Sequence, residues 1–202
     1  FGLGGKPVTE VSSISCQSHL VDMRGGGPSS LSKVLGWDKL FAPQAKAWEV
    51  IGHHTGLTGE GRILAGVHDS NANYLRYLAA GLPHFTLLST GTWIIGFDTD
   101  ADMRTLDHAR DIVANKNVFG ATVACCRFFG GKEYEILTQA APGEAATLAA
   151  VRHLITQNTF ALPTFTDSGG PVPGTGGKGY IVGPKPETLE NRASLGALYC
   201  AL

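Results

Sequence analysis

The sequence has little cysteine: four residues in 202, at Cys16, Cys125, Cys126 and Cys200. No two of them show Cys-x-x-Cys spacing, and the adjacent Cys125 and Cys126 are poorly placed to bridge to each other. The pattern argues against a disulfide framework. It predicts reduced thiols in a cytoplasmic protein.

An excess of charge and any long apolar run are also missing. Lys and Arg number 16 against 17 Asp and Glu, a formal charge of −1, so no basic surface for nucleic acid is expected. No stretch approaches the roughly 20 apolar residues that a membrane span requires, and the first residues lack the apolar core of a secretion signal. We therefore expect neither nucleic acid nor a membrane as a partner.

The two ends lack the features of complete termini. The chain has no initiator Met, and it stops at Leu202 inside what the pattern predicts to be an amphipathic helix. We expect a fragment of a longer polypeptide.

The composition that is present is ordinary for a globular protein, with a hydrophobic share of 43%, enough for one large domain or two smaller ones. In the first part the pattern predicts a strand over residues 8–14 and a short helix capped by Ser29 or Ser30. It then predicts a helix over 43–51 that ends at the Gly-His-His-Thr-Gly stretch 52–56.

An apolar run over residues 63–67 predicts a short buried strand that delivers His68 and Asp69 to its carboxyl end, where a helix over 70–80 begins. In open α/β sheets this end of a strand is where ligands bind, and a carboxylate there can act on them. The alternative is that Asp69 only caps its helix.

A second motif lies between predicted strands over 85–88 and 93–97. Its Ser-Thr-Gly-Thr turn, residues 89–92, places hydroxyl and backbone N–H groups around a concavity that suits phosphate oxygens. An ordinary hairpin loop is the alternative.

Gly130 and Gly131 open a predicted helix over 132–140, and without side chains they let a bulky ligand approach a helix N-terminus. A tight strand-to-helix turn without a ligand is the other interpretation. Around this helix the pattern predicts a polar loop over 98–110, a strand over 118–123 and a helix over 144–156. A mobile glycine-rich insertion over 163–186 and a helix over 187–202 follow.

Four blocks in one order resemble the FGGY family of carbohydrate kinases. They are Ala-Gly-Val-His-Asp-Ser-Asn-Ala at 65–72, Leu-Ser-Thr-Gly-Thr-Trp at 88–93, Arg-Phe-Phe-Gly-Gly-Lys-Glu-Tyr-Glu at 127–135 and Arg-Ala-Ser-Leu-Gly-Ala-Leu-Tyr at 192–199. The resemblance spans nearly the whole chain but covers only the middle of such a kinase.

The resemblance implies an α/β fold of two RNase-H-like domains, with residues 1–83 ending the first, sugar-binding domain and 84–202 opening the second, nucleotide-binding domain. It implies ATP-dependent phosphorylation of a ketose, deoxyketose or polyol, with Mg²⁺ as a cofactor, and it allows a homodimer. Asp69 occupies the position of the general base, with His68 and Ser70 as substrate contacts. Nucleotide contacts fall on four further residues: Gly91, Thr92, Gly130 and Gly131.

The sequence departs from the family pattern at both ends. It contains neither the Asp-x-Gly-Thr phosphate loop that helps to hold Mg²⁺ nor the glycine-rich adenine segment, so we expect the 202-residue chain alone to transfer no phosphate. Two other classes stay open. One is a sugar-sensing relative of the kinases. The other is a metal-dependent phosphohydrolase built on histidines and Asp69, with the histidines at positions 53, 54, 68, 84 and 108.

Overall fold

Helices and strands of mixed α/β type form the chain, and a computed structural model describes residues 4–16, 18–56, 59–167 and 170–202. The chain divides into two compact units. The first unit comprises Phe1–Leu87, Phe97–Leu106 and Val113–Cys125, and the second comprises Leu88–Gly96, Asp107–Ile112 and Cys126–Leu202. The predicted domain division at residue 83 stays a prediction.

The N-terminal part contains short helices, one antiparallel hairpin and one long helix. The elements are α1 (Val11–Ser15), α2 (Ser30–Val34), a 3-10 helix (Trp37–Leu40), β1 (Val50–Gly56), β2 (Gly59–Leu64) and α3 (Asp69–Ala79). β1 pairs antiparallel with β2. α3 buries Tyr74, whose ring stacks on Phe97 at 4.9 Å between centroids and also contacts Phe85.

A four-stranded sheet follows. Its strands are β3 (Thr86–Ser89), β4 (Ile94–Asp98), β5 (Ile112–Lys116) and β6 (Thr122–Phe128), in the order β3-β4-β6-β5, and a 3-10 helix (His108–Arg110) precedes β5. Leu87 of β3, Ile95 and Phe97 of β4, and Val123 of β6 are buried.

The C-terminal part is mainly helical. It consists of α4 (Gly130–Thr138), a 3-10 helix (Gly143–Ala145), α5 (Leu148–Thr156), β7 (Phe160–Leu162), β8 (Tyr180–Val182) and α6 (Leu189–Ala201), and β7 pairs antiparallel with β8. Its core joins α4, α5, β7 and α6 through Leu137, Leu154, Ala161, Leu195 and Tyr199.

Several predicted elements are confirmed. α3 begins one residue earlier than expected, α4 two residues earlier and α6 two residues later. Ser29 caps α2 and accepts a hydrogen bond from the Ser32 amide at 3.1 Å. These elements carry their own signals, which are periodic apolar residues and capping residues at their ends.

The strand predicted over 8–14 is wrong, because this segment forms helix α1. Glu10 accepts hydrogen bonds from the amides of Ser12 and Ser13 at 3.0 Å each, which satisfies the free N–H groups of a helix start. The local cap therefore overrides the β propensity of Val8, Val11 and Ile14.

The helix predicted over 43–51 is also wrong. The Thr9 amide donates to the Pro43 carbonyl at 2.9 Å and the Ala45 amide to the Thr9 carbonyl at 3.0 Å, so this stretch pairs as extended chain. His53 and His54, expected at a helix end, lie in β1.

The buried strand predicted over 63–67 is instead β2, which ends at Leu64 with that side chain 48% exposed.

The later strands and loops differ as well. The strand predicted over 118–123 begins only at Thr122, because Asn117 Oδ1 accepts from the amides of Phe119 and Ala121 and folds 117–121 into a turn. β5 lies in a stretch for which no element was predicted, and β8 lies within the predicted irregular stretch over 163–186. The predicted helix over 144–156 is divided between a 3-10 turn and α5.

The glycine-rich stretch over 163–186 is anchored rather than merely irregular, and residues 168–169 of it lie outside the described chain. Glu133 of α4, 0% exposed, accepts from the amides of Phe165 and Thr166 at 2.8 Å each and from the Tyr199 hydroxyl at 2.8 Å. The Thr166 hydroxyl donates to the same carboxylate. Burial and the bond to Glu133 raise the pKa of Tyr199, so its hydroxyl stays a donor.

A second contact holds the same stretch. The Asp111 carboxylate accepts from the Gly170 amide at 2.9 Å and pairs with the Arg127 guanidinium. Burial alone would raise the pKa of Asp111. The hydrogen bonds from Gly170 and Arg127 together lower the pKa by more than burial raises it, so the pKa lies below its usual value. Both contacts therefore fix the glycine-rich stretch to other elements of the second unit, to which it also belongs.

None of the helices in the described residues combines the length and apolar character needed to cross a membrane.

We predict that Glu133→Ala lowers the free energy of unfolding by about 3 kcal/mol or more, since it leaves several buried donors without an acceptor. Urea denaturation of the chain measures the change. The matched control is Glu135→Ala on the same helix, an exposed residue paired with Lys132, which should cost less than about 1 kcal/mol. Equal losses for the two variants would contradict the role given to Glu133.

Candidate functional site

The first half of the candidate site is the corner where α3 begins. His68 is the N-cap residue of α3 but makes no side-chain capping bond, and Asp69 is the first helical residue. Asp69 therefore does not cap its helix as an N-cap side chain, which was the alternative left open by the sequence.

The two carboxylate oxygens of Asp69 have different surroundings. Oδ1 accepts from the Ser70 amide at 2.6 Å and lies 3.3 Å from Nε2 of His68. Oδ2 has no hydrogen-bond partner among the described residues, and the side chain is 91% exposed. One oxygen is thus held by the protein, while the other is available to accept a proton or hydrogen bond from a ligand.

His68 and Ser70 flank this carboxylate. The His68 ring is 28% exposed and its Nε2 also lies 3.2 Å from Sγ of Cys16. Ser70 is buried, with its hydroxyl 3.4 Å from Oδ1 of Asp69. The structure brings all three sequence-predicted residues of this corner together, while their contact with a substrate stays a prediction.

The second half of the site joins the β3–β4 turn to the N-terminus of α4. The Gly131 amide donates to the Thr92 carbonyl at 3.1 Å. The Trp93 ring stacks on Phe129 at 4.3 Å between centroids and 16° between planes. Two segments about 40 residues apart in sequence are thereby fixed side by side.

Glycine is required at this junction. A Cβ at Gly131 would lie 2.9 Å from the Thr92 Cα and would collide with the carbonyl oxygen of Gly91. A Cβ at Gly130 would collide with the Ile94 side chain. The four residues predicted to contact nucleotide are therefore adjacent, and the absence of side chains at the two helix residues is what permits it.

A cavity of about 320 Å³ opens at the same junction. Phe129, the N-cap of α4, provides no side-chain acceptor, so the first-turn amides of this nine-residue helix other than that of Gly131, which donates to Thr92, can face an anion. Thr92 is exposed, and its hydroxyl makes no hydrogen bond within the described part of the chain. The cavity is lined by Thr90, Gly91, Ile94, Gly130, Gly131, Tyr134, Ala197, Cys200 and Ala201.

Two lining side chains were not predicted from the sequence. The Tyr134 hydroxyl is buried without a hydrogen-bond partner among the described residues. Burial, followed by the nearby Glu133, raises the pKa of Cys200 to about 11, so its thiol is neutral near pH 7 and a poor nucleophile. Tyr134 lies one helical turn beyond the glycine pair, and this spacing was the available signal.

Within the described residues, no three or more His, Cys, Asp or Glu side chains are grouped so that they could hold a metal ion. His84 lies beside Asp100 at 2.8 Å, while His53 and His54 follow each other along β1. The structure therefore gives the metal-dependent alternative no support.

The two halves lie in different units, one at Asp69 and the other at Gly91 and Thr92. That they line one cleft stays a prediction.

Comparison with known proteins gives a family and a solved relative. The family described as "Carbohydrate kinase FGGY, C-terminal domain" matches residues 82–202. A crystal structure of a carbohydrate kinase from Novosphingobium aromaticivorans is similar at a TM-score of 0.71 and 34% sequence identity. The similarity covers 98% of this chain and 46% of that one, so the chain spans about half the length of the solved kinase. No curated protein matches.

We predict that Gly131→Ala destabilises the second unit by about 1–3 kcal/mol, because the new methyl group must displace the backbone of the β3–β4 turn. Gly143→Ala is the matched control, since a Cβ there meets nothing within 4 Å. Urea unfolding of both variants tests this. A Gly131→Ala chain as stable as the Gly143→Ala chain would show that the junction is not tightly packed.

Proposed function

This chain belongs to the FGGY family of carbohydrate kinases, and we propose that it forms the middle of an enzyme that transfers the γ-phosphoryl group of ATP to a sugar hydroxyl. The observation that supports this most is the exposed Asp69, whose Oδ2 is left open at the start of α3. In the family pattern this residue occupies the position of the general base.

Asp69 orients the acceptor hydroxyl and accepts its proton as the phosphoryl group arrives. Because phosphoryl transfer needs little covalent assistance, most of the acceleration comes from positioning and charge neutralisation. The hydrogen bond from the Ser70 amide to Oδ1 holds the carboxylate while Oδ2 faces the ligand. His68 and Ser70 complete this side of the sugar site.

The junction of the β3–β4 turn and α4 receives the nucleotide. The phosphates lie against the Gly91 amide, the Thr92 hydroxyl and the N-terminus of α4, where partial positive charge attracts an anion. In the family pattern the bare backbone of Gly130 and Gly131 lets the nucleotide approach closely, and in this chain it also lets the start of α4 pack against the β3–β4 turn. ATP fits this donor set, and when bound it supplies the phosphoryl group.

Mg²⁺ is implied by the family, but the described residues do not offer a set of acidic ligands for it. The family places its metal-binding phosphate loop ahead of the segment seen here, so no step of the reaction is assigned to the metal. The substrate class is a ketose, deoxyketose or polyol. Closure of two domains over sugar and ATP would exclude water, a competing acceptor.

We predict that Asp69→Asn lowers kcat by about 10²- to 10⁴-fold in the full-length gene product, because the amide cannot accept the proton. A coupled assay of sugar-dependent ADP release over a panel of ketoses and polyols measures it. Asp102→Asn, a change at an exposed carboxylate paired with Arg104, is the matched control and should leave kcat unchanged. A fully active Asp69→Asn enzyme would end the proposal. Sugar-dependent ADP release from the 202-residue chain alone would contradict the expectation that this chain is inactive by itself.

For the phosphate site we predict that Thr92→Val weakens ATP binding about 10-fold, since one hydrogen bond to a charged phosphate is lost without change of shape. Isothermal titration calorimetry of the full-length gene product gives the dissociation constant. The control is Thr156→Val, an exposed position on α5 whose hydroxyl donates to the Arg152 carbonyl of its own helix. Unchanged affinity in Thr92→Val would place the phosphates elsewhere.

A further inference from the structure

Helix α1 contacts His68 at two points. The Ser12 hydroxyl accepts a hydrogen bond from the His68 backbone amide at 3.3 Å, and Sγ of Cys16 lies 3.2 Å from Nε2 of the ring. Ser12 lies within α1, Cys16 is the C-cap residue that follows it, and both side chains contact His68. One holds the main chain of His68 and the other holds its imidazole.

A helix of five residues is not stable by itself, so its position depends on tertiary contacts. At its start, buried Glu10 accepts from the Ser12 hydroxyl at 2.6 Å, which aims the oxygen of that hydroxyl at His68. Toward its end, the Ser15 hydroxyl donates to Asn115 Oδ1 at 2.9 Å and accepts from the Lys116 amide at 3.3 Å. The two contacts on His68 therefore come from an anchored segment.

The surroundings of the ring assign its tautomer. Nε2 lies 3.2 Å from Sγ of Cys16 in hydrogen-bond geometry and 3.3 Å from Oδ1 of Asp69, and both atoms can accept, so we place the ring hydrogen on Nε2. Nδ1 is buried without a partner in the described part of the chain. A buried N–H without an acceptor is costlier than a lone pair without a donor, so the Nε2–H tautomer fits this site better than the Nδ1–H tautomer.

This arrangement gives the two carboxylate oxygens of Asp69 different neighbours. The His68 ring and the Ser70 amide both act on Oδ1, which leaves Oδ2 as the oxygen open to solvent. If the ring turned, Oδ1 would lose its contact with Nε2, and only the Ser70 donors would hold the carboxylate against rotation.

We propose that Ser12 and Cys16 are positioning residues that clamp His68, and through it present Oδ2 of Asp69 to the acceptor. This inference rests on the kinase function proposed above. Neither side chain contacts the reacting atoms.

The first test needs no catalysis. Long-range ¹H–¹⁵N spectra of the 202-residue chain report the tautomer of each histidine, and His68→Gln identifies its signals. The expected wild-type pattern for His68 is the Nε2–H form. Cys16→Ala should shift it toward a mixture of tautomers, while Cys16→Ser, which keeps a hydrogen-bonding atom at this position, should restore it.

The matched control is Ser13→Ala, because Ser13 is exposed and bonds to Glu10 but not to His68. Its His68 spectrum should equal that of the wild type, whereas Ser12→Ala should change it. A wild-type Nδ1–H form, or a Cys16→Ala spectrum identical to wild type, overturns the clamp.

The second test uses sugar-dependent ADP release by the full-length gene product. Cys16→Ala and Ser12→Ala should each lower kcat about 10-fold with KM for ATP unchanged, since only the base is misaligned. Cys16→Ser should recover most of the rate, and Ser13→Ala should match wild type. Unchanged kcat in Cys16→Ala overturns the positioning role. Absence of any activity in the wild type would instead refute the proposed function, while the spectra would still decide the clamp.

Discussion

Buried carboxylates that pair with no cation among residues 4–16, 18–56, 59–167 and 170–202 organise each unit of this protein. Glu133 in the second unit and Glu10 in the first are 0% and 5% exposed, and each accepts four hydrogen bonds from amides and hydroxyls. A buried charge is tolerated only when its oxygens are fully hydrogen-bonded, so each Glu fixes the segments that supply its donors. One of these two anchors lies behind each half of the candidate site.

The anchors serve the two halves of the site in the same way. Glu133 lies on the first turn of α4 and holds α6 and the glycine-rich stretch against the helix whose N-terminus meets the β3–β4 turn. Glu10 orients Ser12, which holds the corner carrying Asp69. In both places a rigid polar network behind the site leaves the surface groups free for ligands, as preorganised catalysis requires.

Local signals made part of this predictable from the sequence. The start of α3, to within one residue, and the cap at Ser29 followed from residues within one turn, and the family resemblance supplied the predicted roles of Thr92 and Gly131. The partners of Glu133 lie 32 to 66 residues away, so no residue within one turn of its helix indicates that it is buried. A local signal for the helix start was present at Glu10, because Ser12 and Ser13 follow it closely. The β propensity of the neighbouring residues nevertheless led to the prediction of a strand.

The most direct test of the account is a crystal structure of the full-length gene product with its sugar and a non-hydrolysable ATP analogue. The account predicts Oδ2 of Asp69 within about 2.6–3.2 Å of the acceptor hydroxyl and phosphate oxygens at Gly91 and Thr92. Phosphates bound away from that turn, or an acceptor hydroxyl remote from Asp69, would contradict it.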